Sequence, residues 1–208
     1  IPTVAPYLLP GLLPALRGEH PDYDVQIWEA QTGELMARLD SREVDLLVLA
    51  LPIPGDERPA RDLATEPFVL LTPESHPLAE ADQPAIDDLD GRELLLLAEG
   101  HCLREHALAA CELAGATAQG PMHANSLSML VQLVRNGMGI TLLPASAVPV
   151  ELADRRGLAV RRFRDPEPSR ILGAVWREES SRASELSKLC ELVADQAGRH
   201  VDSAFQNL

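Results

Sequence analysis

The sequence is poor in aromatic residues, in basic residues and in long apolar runs, and each shortage excludes a class of protein. Aromatic residues make up 3% of the 208 residues and hydrophobic residues 46%, so the core must be largely aliphatic. No apolar run approaches the roughly 18–20 residues of a membrane-spanning helix. Eighteen Lys and Arg against 32 Asp and Glu give a formal charge of −14. We therefore do not expect this chain to bind duplex nucleic acid by itself.

Cysteine is scarce as well, because the chain has only Cys102, Cys111 and Cys190. Three is too few, and odd, for a disulfide scaffold. The opening Ile1-Pro2-Thr3 has neither the basic start nor the cleavage pattern of a signal peptide. We expect a reducing cytoplasmic setting without a membrane. The abrupt start, inside sequence with a helical pattern, indicates a fragment of a longer protein.

Hydrophobic periodicity predicts alternating helices and strands. An apolar stripe predicts a helix over Tyr7–Arg17, and polar–apolar alternation predicts a strand at Asp24–Glu29. A helix is expected over Thr32–Ser41 with Thr32 as its N-cap. The apolar run Asp45–Ala50 is typical of a buried parallel strand. The last three elements form one βαβ unit.

The rest of the chain continues this alternation, which is typical of an α/β fold with parallel strands. Crossings between two lobes are expected near residue 72 and in the strand at 171–176, with a cleft between the lobes as a ligand site. Gly115 is the expected C-cap of the helix before it. The predicted strands are Glu66–Leu71, Leu94–Leu97, Ile140–Pro144, Leu158–Val160 and Ile171–Trp176, and the predicted helices are Leu103–Leu113, Ser126–Arg135 and Ser184–Ala197.

The segment from Gly100 to Arg104 carries the most specific chemistry. A reactive cysteine needs its thiolate stabilised by a helix N-terminus or by cations. Cys102 meets both conditions, since it precedes a predicted helix and has His101 and Arg104 as neighbours. A thiolate that attacks a peroxide becomes a sulfenic acid, which a second thiol can convert into a disulfide. Cys111 is a candidate for that second thiol.

The spacing of these two cysteines has a consequence for any disulfide. Nine residues along one helix rise about 13.5 Å, whereas a disulfide needs Cα atoms within about 7 Å. A bond between Cys102 and Cys111 therefore requires the helix to unwind, as a redox switch would. The alternative is that the cysteines fill the core, as most buried cysteines do. Cys190, on an apolar helix face, is expected to be a core residue.

No metal site or common hydrolase motif is evident. The His and Cys residues of this segment lack the closely paired spacing of zinc ligands, and the chain has no P-loop and no Gly-x-Ser-x-Gly elbow. We expect no metal and no cofactor.

The sequence resembles the OxyR group of LysR-type transcriptional regulators, which sense peroxide. The specific match is Gly-His-Cys-Leu-Arg-Glu with a second Cys nine residues later. Weaker matches are the opening Ile-Pro-Thr-Val-Ala-Pro-Tyr-Leu-Leu-Pro, Glu-Ala-Gln-Thr ending at Thr32, the run from Asn136 to Ala145, and Pro-Glu-Pro-Ser-Arg ending at Arg170. The resemblance extends over the whole chain.

The resemblance implies an α/β fold of two periplasmic-binding-protein-like lobes joined by two crossover strands. Lobe I would comprise residues 1–71 and 171–208, and lobe II residues 72–170 with the redox cysteines. It also implies an N-terminal winged helix-turn-helix domain absent from this chain, through which alone DNA would be bound. The whole protein would be a cytoplasmic homotetramer whose regulatory domains pair as dimers.

The resemblance also implies roles for individual residues. Cys102 would be the peroxidatic thiol and Cys111 the resolving thiol, with hydrogen peroxide as the signal and a thiol reductant system for reset. The candidate pocket residues around the peroxide are Thr3, Thr32, His101, Arg104, Ser126 and Arg170. Each has a structural alternative: helix capping for Thr32 and Ser126, a strand-end residue for Thr3, an exposed turn for His101, and a generic surface cation for Arg104 and Arg170.

Two positions depart from the family pattern. Glu105 stands where Asp is frequent, and its longer side chain alters any hydrogen bond made there. Asn136 stands where small residues are common, in a region expected to face a partner subunit. We expect the departure at Asn136 to bear on the balance between the reduced and oxidised forms.

Together these features predict a regulator that reacts with peroxide once per cycle, and not an enzyme. The nearest alternative is a LysR-type domain that binds a small organic effector in the cleft, with passive cysteines. A thiol peroxidase would instead consume peroxide continuously. An extracytoplasmic solute-binding protein would bind its ligand regardless of thiol reagents.

Overall fold

The computed structural model describes residues 1–56, 58, 60–113, 123–177 and 179–206. Helices and strands alternate along much of the chain, as predicted. Three short 3₁₀ turns occur at Pro77–Ala79, Ile86–Leu89 and Ala145–Ala147. Within the described residues the α-helices are α1 (Ala5–Glu19), α2 (Thr32–Asp40), α3 (Cys102–Leu113), α4 (Leu127–Arg135), α5 (Val148–Glu151) and α6 (Ala183–Gln206). The strands are β1 (Leu46–Leu51), β2 (Ala60–Pro73), β3 (Leu96–Leu97), β4 (His123–Ala124), β5 (Thr141–Pro144), β6 (Leu158–Arg162) and β7 (Ser169–Trp176).

The chain forms two compact units. Unit 1 comprises Ile1–Thr65 and Ile171–Ser203, and unit 2 comprises Glu66–Arg170 with the end of α6 from Ala204. The boundaries fall inside the long strands β2 and β7, so each of these strands contributes residues to both units. The lobe boundaries expected from the sequence stay a prediction.

Unit 1 is built on β1 and residues 171–176 of β7. These strands pair antiparallel, in a register that runs from Leu46 opposite Trp176 to Leu51 opposite Ile171. The amphipathic helices α1 and α6 bury one face each, through Leu8, Leu12 and Leu16 in α1 and Leu186, Cys190 and Val193 in α6. Cys190 is 0% exposed, as expected of a core residue.

The strand predicted at Asp24–Glu29 is wrong, because these residues form no helix or strand. Its apolar side chains are partly open, with Val25 39%, Ile27 48% and Trp28 51% exposed. Within the described residues no backbone hydrogen bond ties Asp24–Glu29 to a neighbouring strand. An alternating pattern produces a strand only where a second strand lies beside it.

Unit 2 is built on the second half of β2, which pairs antiparallel with both β5 and β6. Phe68 and Phe163, each 1% exposed, are among the largest side chains of its core. The short strands β3 and β4 pair in parallel, and an isolated parallel bridge joins Leu94 to Ile140. That bridge depends on Gly139, whose φ is +145° and whose added Cβ would lie 2.6 Å from the Glu93 carbonyl oxygen.

The expectation of mainly parallel strands is therefore wrong for the longer pairings. Parallel pairing is confined to β3–β4 and the Leu94–Ile140 bridge among the residues that the structure describes. A buried strand is apolar on both faces whichever way its neighbour runs, so hydrophobicity alone does not encode strand direction.

Candidate functional site

Cys102 is the first residue of α3, where the sequence analysis expected it. The chain leaves β3 at Leu97 and turns through Gly100, whose φ of +89° suits glycine. The Ala98 amide donates to the Ala124 carbonyl at 2.8 Å, which fixes the start of this turn. Cys102 is 8% exposed. The unsatisfied N–H groups and the positive end of the helix dipole favour a thiolate at such a position.

Two neighbours of Cys102 differ in charge. His101 is buried, and this burial lowers the pKa of its imidazole below the usual 6.5. The imidazole is therefore mainly neutral near pH 7 and adds no positive charge next to Cys102 in the sequence. Its burial also contradicts the exposed-turn alternative. Arg104 is half-buried, and its Nη1 donates to the Leu97 carbonyl at 3.3 Å.

The Arg104 guanidinium supplies the positive charge nearest in sequence to Cys102. Within the described residues it forms no salt bridge, so no acidic side chain neutralises it there. On the other side, His106 Nδ1 lies 2.7 Å from the Cys102 carbonyl oxygen and fastens the first turn of α3.

Cys111 lies on the same helix, in its last turn, and is 1% exposed. Burial first, and then the nearby Glu112 carboxylate, raise the pKa of the Cys111 thiol to about 11. Burial raises the pKa of Cys190 to about 11 as well. At neutral pH both are thus thiols and poor nucleophiles. The three cysteines form no disulfide, and the rise of a nine-residue helical step, about 13.5 Å, separates Cys102 from Cys111.

Thr3 and Thr32 lie in unit 1, whereas Cys102 and Cys111 lie in unit 2. Thr3 is 3% exposed, in the turn before α1, and is not at the end of a strand. The expected N-cap role of Thr32 is wrong, since Gln31 is the N-cap of α2 and Thr32 begins the helix. The Thr32 hydroxyl is buried and has no hydrogen-bond partner within the described residues. Buried hydroxyls nearly always have a hydrogen-bond partner. The Thr32 hydroxyl could therefore bind a ligand or a water.

Ser126 and Arg170 have structural partners. Ser126 is exposed and caps α4, where its Oγ accepts the Met129 amide at 3.2 Å. Arg170 is buried and is not a surface cation, because its guanidinium pairs with the Glu66 carboxylate, with Nη2–Oε2 at 2.7 Å and both side chains 0% exposed. The other Glu66 oxygen accepts the Ser146 amide at 3.1 Å.

Glu66 is the residue of this region that the sequence analysis missed. It is 104 positions from Arg170, and nothing in the local sequence distinguishes it from the other acidic residues. Both partners lie where the chain passes between the two units, Glu66 in β2 and Arg170 in β7.

The arrangement thus brings His101, Cys102 and Arg104 together at the start of α3 and holds Cys111 on the same helix. Within the described ranges, no cluster of His, Cys, Asp or Glu side chains could hold a metal ion. In the same part of the chain, no helix is both long and apolar enough to cross a membrane. Gly115, the expected C-cap of α3, lies outside the described residues.

The family model for the LysR substrate binding domain matches residues 1–198. The chain belongs to this family. Its fold is therefore periplasmic-binding-protein-like and mixed α/β, which confirms the predicted fold class. The DNA-binding transcriptional dual regulator OxyR of Escherichia coli K12 is 39% identical over 206 residues, which cover 99% of this chain and 67% of that protein.

Solved OxyR structures share the fold. A hydrogen-peroxide-bound cysteine mutant of Corynebacterium glutamicum OxyR superposes with a TM-score of 0.92 at 33% identity, covering 99% of this chain and 65% of that one. The reduced form of OxyR superposes with a TM-score of 0.84 at 37% identity, covering 94% and 91%. This LysR-family chain thus spans about two thirds of the length of the E. coli and C. glutamicum proteins.

Proposed function

We propose that this chain is the hydrogen-peroxide-sensing regulatory domain of an OxyR-type transcription regulator. The observation that carries the proposal is the position of Cys102, a thiol at the N-terminus of α3 beside neutral His101 and cationic Arg104. Family membership supports it, as does a peroxide-bound relative with the same fold.

The first step is oxidation of Cys102. Its thiolate attacks one oxygen of hydrogen peroxide, the O–O bond breaks, and the sulfur becomes a sulfenic acid. The second oxygen leaves as hydroxide and is protonated to water. The positive end of α3 and the Arg104 guanidinium stabilise the thiolate and the charge that develops on the leaving oxygen. His101, being neutral, offers one N–H to the peroxide.

The second step joins Cys102 to Cys111. The Cys111 sulfur attacks the sulfenic sulfur, the S–OH bond breaks, and the hydroxide takes up the Cys111 thiol proton to leave as water. In the folded helix, burial raises the pKa of Cys111 to about 11 and keeps this thiol protonated. Because the folded helix holds the two sulfurs apart, α3 must unwind first, and the new disulfide then prevents it from reforming.

The remaining candidate pocket residues keep supporting roles in this proposal. Thr32 supplies a buried hydroxyl that has no partner within the described residues, which suits it to bind peroxide or a water. Thr3 is proposed as a second hydroxyl. Arg170 and Ser126 stay as predicted pocket residues, although the ion pair with Glu66 and the capping of α4 already occupy their polar groups.

The whole protein would convert this local refolding into a transcriptional response. We propose that the disulfide changes how regulatory domains pair in a cytoplasmic homotetramer, and that DNA is bound through a separate N-terminal domain. A thiol reductant system would restore the dithiol. The net charge of −14 supports a separate DNA-binding part.

Substitution of Cys102 separates this proposal from its alternatives. In the full-length protein, we expect C102S to abolish the peroxide-dependent change in DNA binding and C190S to leave it intact. The protein should consume about one equivalent of peroxide per reduced dithiol. A C102S protein that still switches would indicate a domain for a small organic effector, and sustained consumption at rates far above one event per cycle would indicate a thiol peroxidase.

A further inference from the structure

One histidine of α3 makes a hydrogen bond to which the proposed peroxide chemistry assigns no role. His106 lies four residues after Cys102 and is half-buried, and its Nδ1 lies 2.7 Å from the Cys102 carbonyl oxygen. A carbonyl oxygen only accepts hydrogen bonds, so Nδ1 is the donor and must carry a proton. The contact therefore fixes which ring nitrogen of His106 is protonated.

This hydrogen bond acts on the backbone of Cys102. Cys102 is the first residue of α3, and the α-helical pattern pairs its carbonyl with the backbone amide of His106 as well. A carbonyl oxygen has two lone pairs and can accept both bonds. His106 thus holds the Cys102 carbonyl twice, once through its main chain and once through its ring. Cys102 leaves its helical position only when both bonds break.

The other side chain that ties this turn acts at a different place. Arg104 Nη1 donates to the Leu97 carbonyl at 3.3 Å and so joins the start of α3 to the end of β3. Leu97 precedes Cys102, so the Arg104 bond lies partly outside the interval between the two thiols. The His106 bond lies wholly inside the interval from Cys102 to Cys111, which must unwind before the thiols can bond.

We propose that His106 is a positioning residue of the Cys102–Cys111 switch, whose Nδ1–H holds the Cys102 backbone in the helix and so sets how readily the disulfide forms. The inference rests on the disulfide of the proposed function. The bond stabilises α3 in the dithiol and in the sulfenic acid, and it is lost when Cys102 leaves the helix. It therefore slows disulfide formation and shifts the equilibrium towards the dithiol.

Two substitutions separate the ring donor from the helix itself. Phenylalanine and asparagine have helix propensities close to that of histidine, so neither changes the stability of α3 for that reason. H106F keeps a ring of similar shape without a donor, and H106N keeps an N–H at the δ position of the side chain. H200F is the matched control, because it makes the same replacement in α6.

The first measurement is the rate of disulfide formation in the full-length protein, by rapid quench and mass spectrometry after a peroxide pulse. The step from sulfenic acid to disulfide should be about fivefold faster in H106F, as the loss of one hydrogen bond of ordinary net strength implies. H106N should restore the slower rate of the unmodified protein, and H200F should leave that rate unchanged.

The second measurement is the position of the thiol–disulfide equilibrium in a glutathione redox buffer, without peroxide. The equilibrium constant for the disulfide should be about fivefold larger in H106F, which corresponds to a potential about 20 mV more reducing. H106N and H200F should retain the unmodified value. A protein that forms this disulfide in the buffer but does not react with peroxide would contradict the proposed sensor and not the role of His106.

The protonated ring nitrogen gives a third measurement that needs no variant to fold. Nitrogen NMR of the reduced full-length protein, with isotope-labelled histidine, should show a proton on His106 Nδ1, and this signature should be lost in the disulfide form. An unprotonated Nδ1 in the reduced protein would overturn the proposal. Equal rates of disulfide formation for H106F and the unmodified protein, or equal acceleration by H106F and H106N, would overturn it as well.

Discussion

At the scale of single residues, burial assigns different chemistry to side chains that look alike in the sequence. Cys111 and Cys190 are buried thiols with a pKa raised to about 11, whereas Cys102 begins a helix two residues before Arg104. His101 loses its charge to burial and becomes a neutral hydrogen-bond donor and acceptor. The Arg170 guanidinium pairs with the Glu66 carboxylate. A reactive thiol is therefore identified by its surroundings and not by residue type.

The buried His101 predicts that stability falls in mild acid. Its folded-state pKa lies below the ordinary 6.5, so below about pH 6.5 the unfolded chain binds more protons than the folded chain. The free energy of unfolding should therefore increase with pH up to about pH 6.5. It should decrease as the pH falls from about 6.5 towards the lower pKa of folded His101. Urea unfolding measures the free energy of unfolding at pH 5.5 and at pH 7.5. The difference between these two free energies should be smaller for H101Q than for the unmodified protein.

The half-buried His76, whose pKa is also lowered by burial, provides a matched comparison. H76Q should also reduce the difference in the free energy of unfolding between pH 5.5 and pH 7.5, independently of H101Q. If H101Q retained the full difference between pH 5.5 and 7.5, the assignment of a neutral, buried His101 would be incorrect.

The buried ion pair predicts a large cost for its disruption. E66Q retains an acceptor for the Ser146 amide but removes the negative charge that pairs with the Arg170 guanidinium, at a site where both side chains are 0% exposed. Loss of one partner from such a pair costs about 3–5 kcal/mol. The partly exposed pair between Arg162 and Glu167 is the control, because E167Q should cost at most about 1 kcal/mol. Equal urea midpoints for E66Q and E167Q would contradict this account.

At the scale of elements, the sequence predicted a helix or its cap correctly wherever the determining residues lie within one segment. The leucine stripe of α1, the Ser126 cap of α4 and the Cys102 start of α3 could all be predicted, because each depends on residues within a few positions. The segment 24–29 was predicted wrongly, because a strand depends on a neighbour that its own residues do not encode. The Glu66–Arg170 pair could not be predicted either, because it joins residues 104 positions apart.

Helix α3 is the element that must change if the two cysteines are to bond. Ala109 is exposed within α3, between the two thiols, and glycine there lowers helix stability by about 1 kcal/mol. If unwinding limits disulfide formation, A109G should speed the step after sulfenic acid formation about fivefold, as 1 kcal/mol implies. Stopped-flow measurement of disulfide formation after a peroxide pulse would show this change.

The exposed Lys188 in α6 is the matched control for that variant. K188G weakens a helix that carries neither Cys102 nor Cys111 and should leave the rate of disulfide formation unchanged. Equal rates for A109G, K188G and the unmodified protein would indicate that unwinding of α3 is not the limiting event.

At the scale of the whole molecule, the two units contain different groups of the candidate residues. Unit 2 holds the helix with Cys102 and Cys111, and unit 1 holds Thr3 and Thr32. The family could be identified from the residues around Cys102, and the α/β class from the alternation of elements. The pairing directions of the strands depend on three-dimensional packing, as does the lack of a partner for the Thr32 hydroxyl within the described residues, so no local pattern predicted them.

The most direct test of the sensor proposal is peptide mapping by mass spectrometry of the reduced protein before and after one equivalent of hydrogen peroxide. We expect rapid loss of two thiols, a disulfide between the peptides that carry Cys102 and Cys111, an unmodified Cys190, and full reversal by a thiol reductant. A Cys102 that remained a thiol under these conditions, or a disulfide that included Cys190, would contradict the proposed switch.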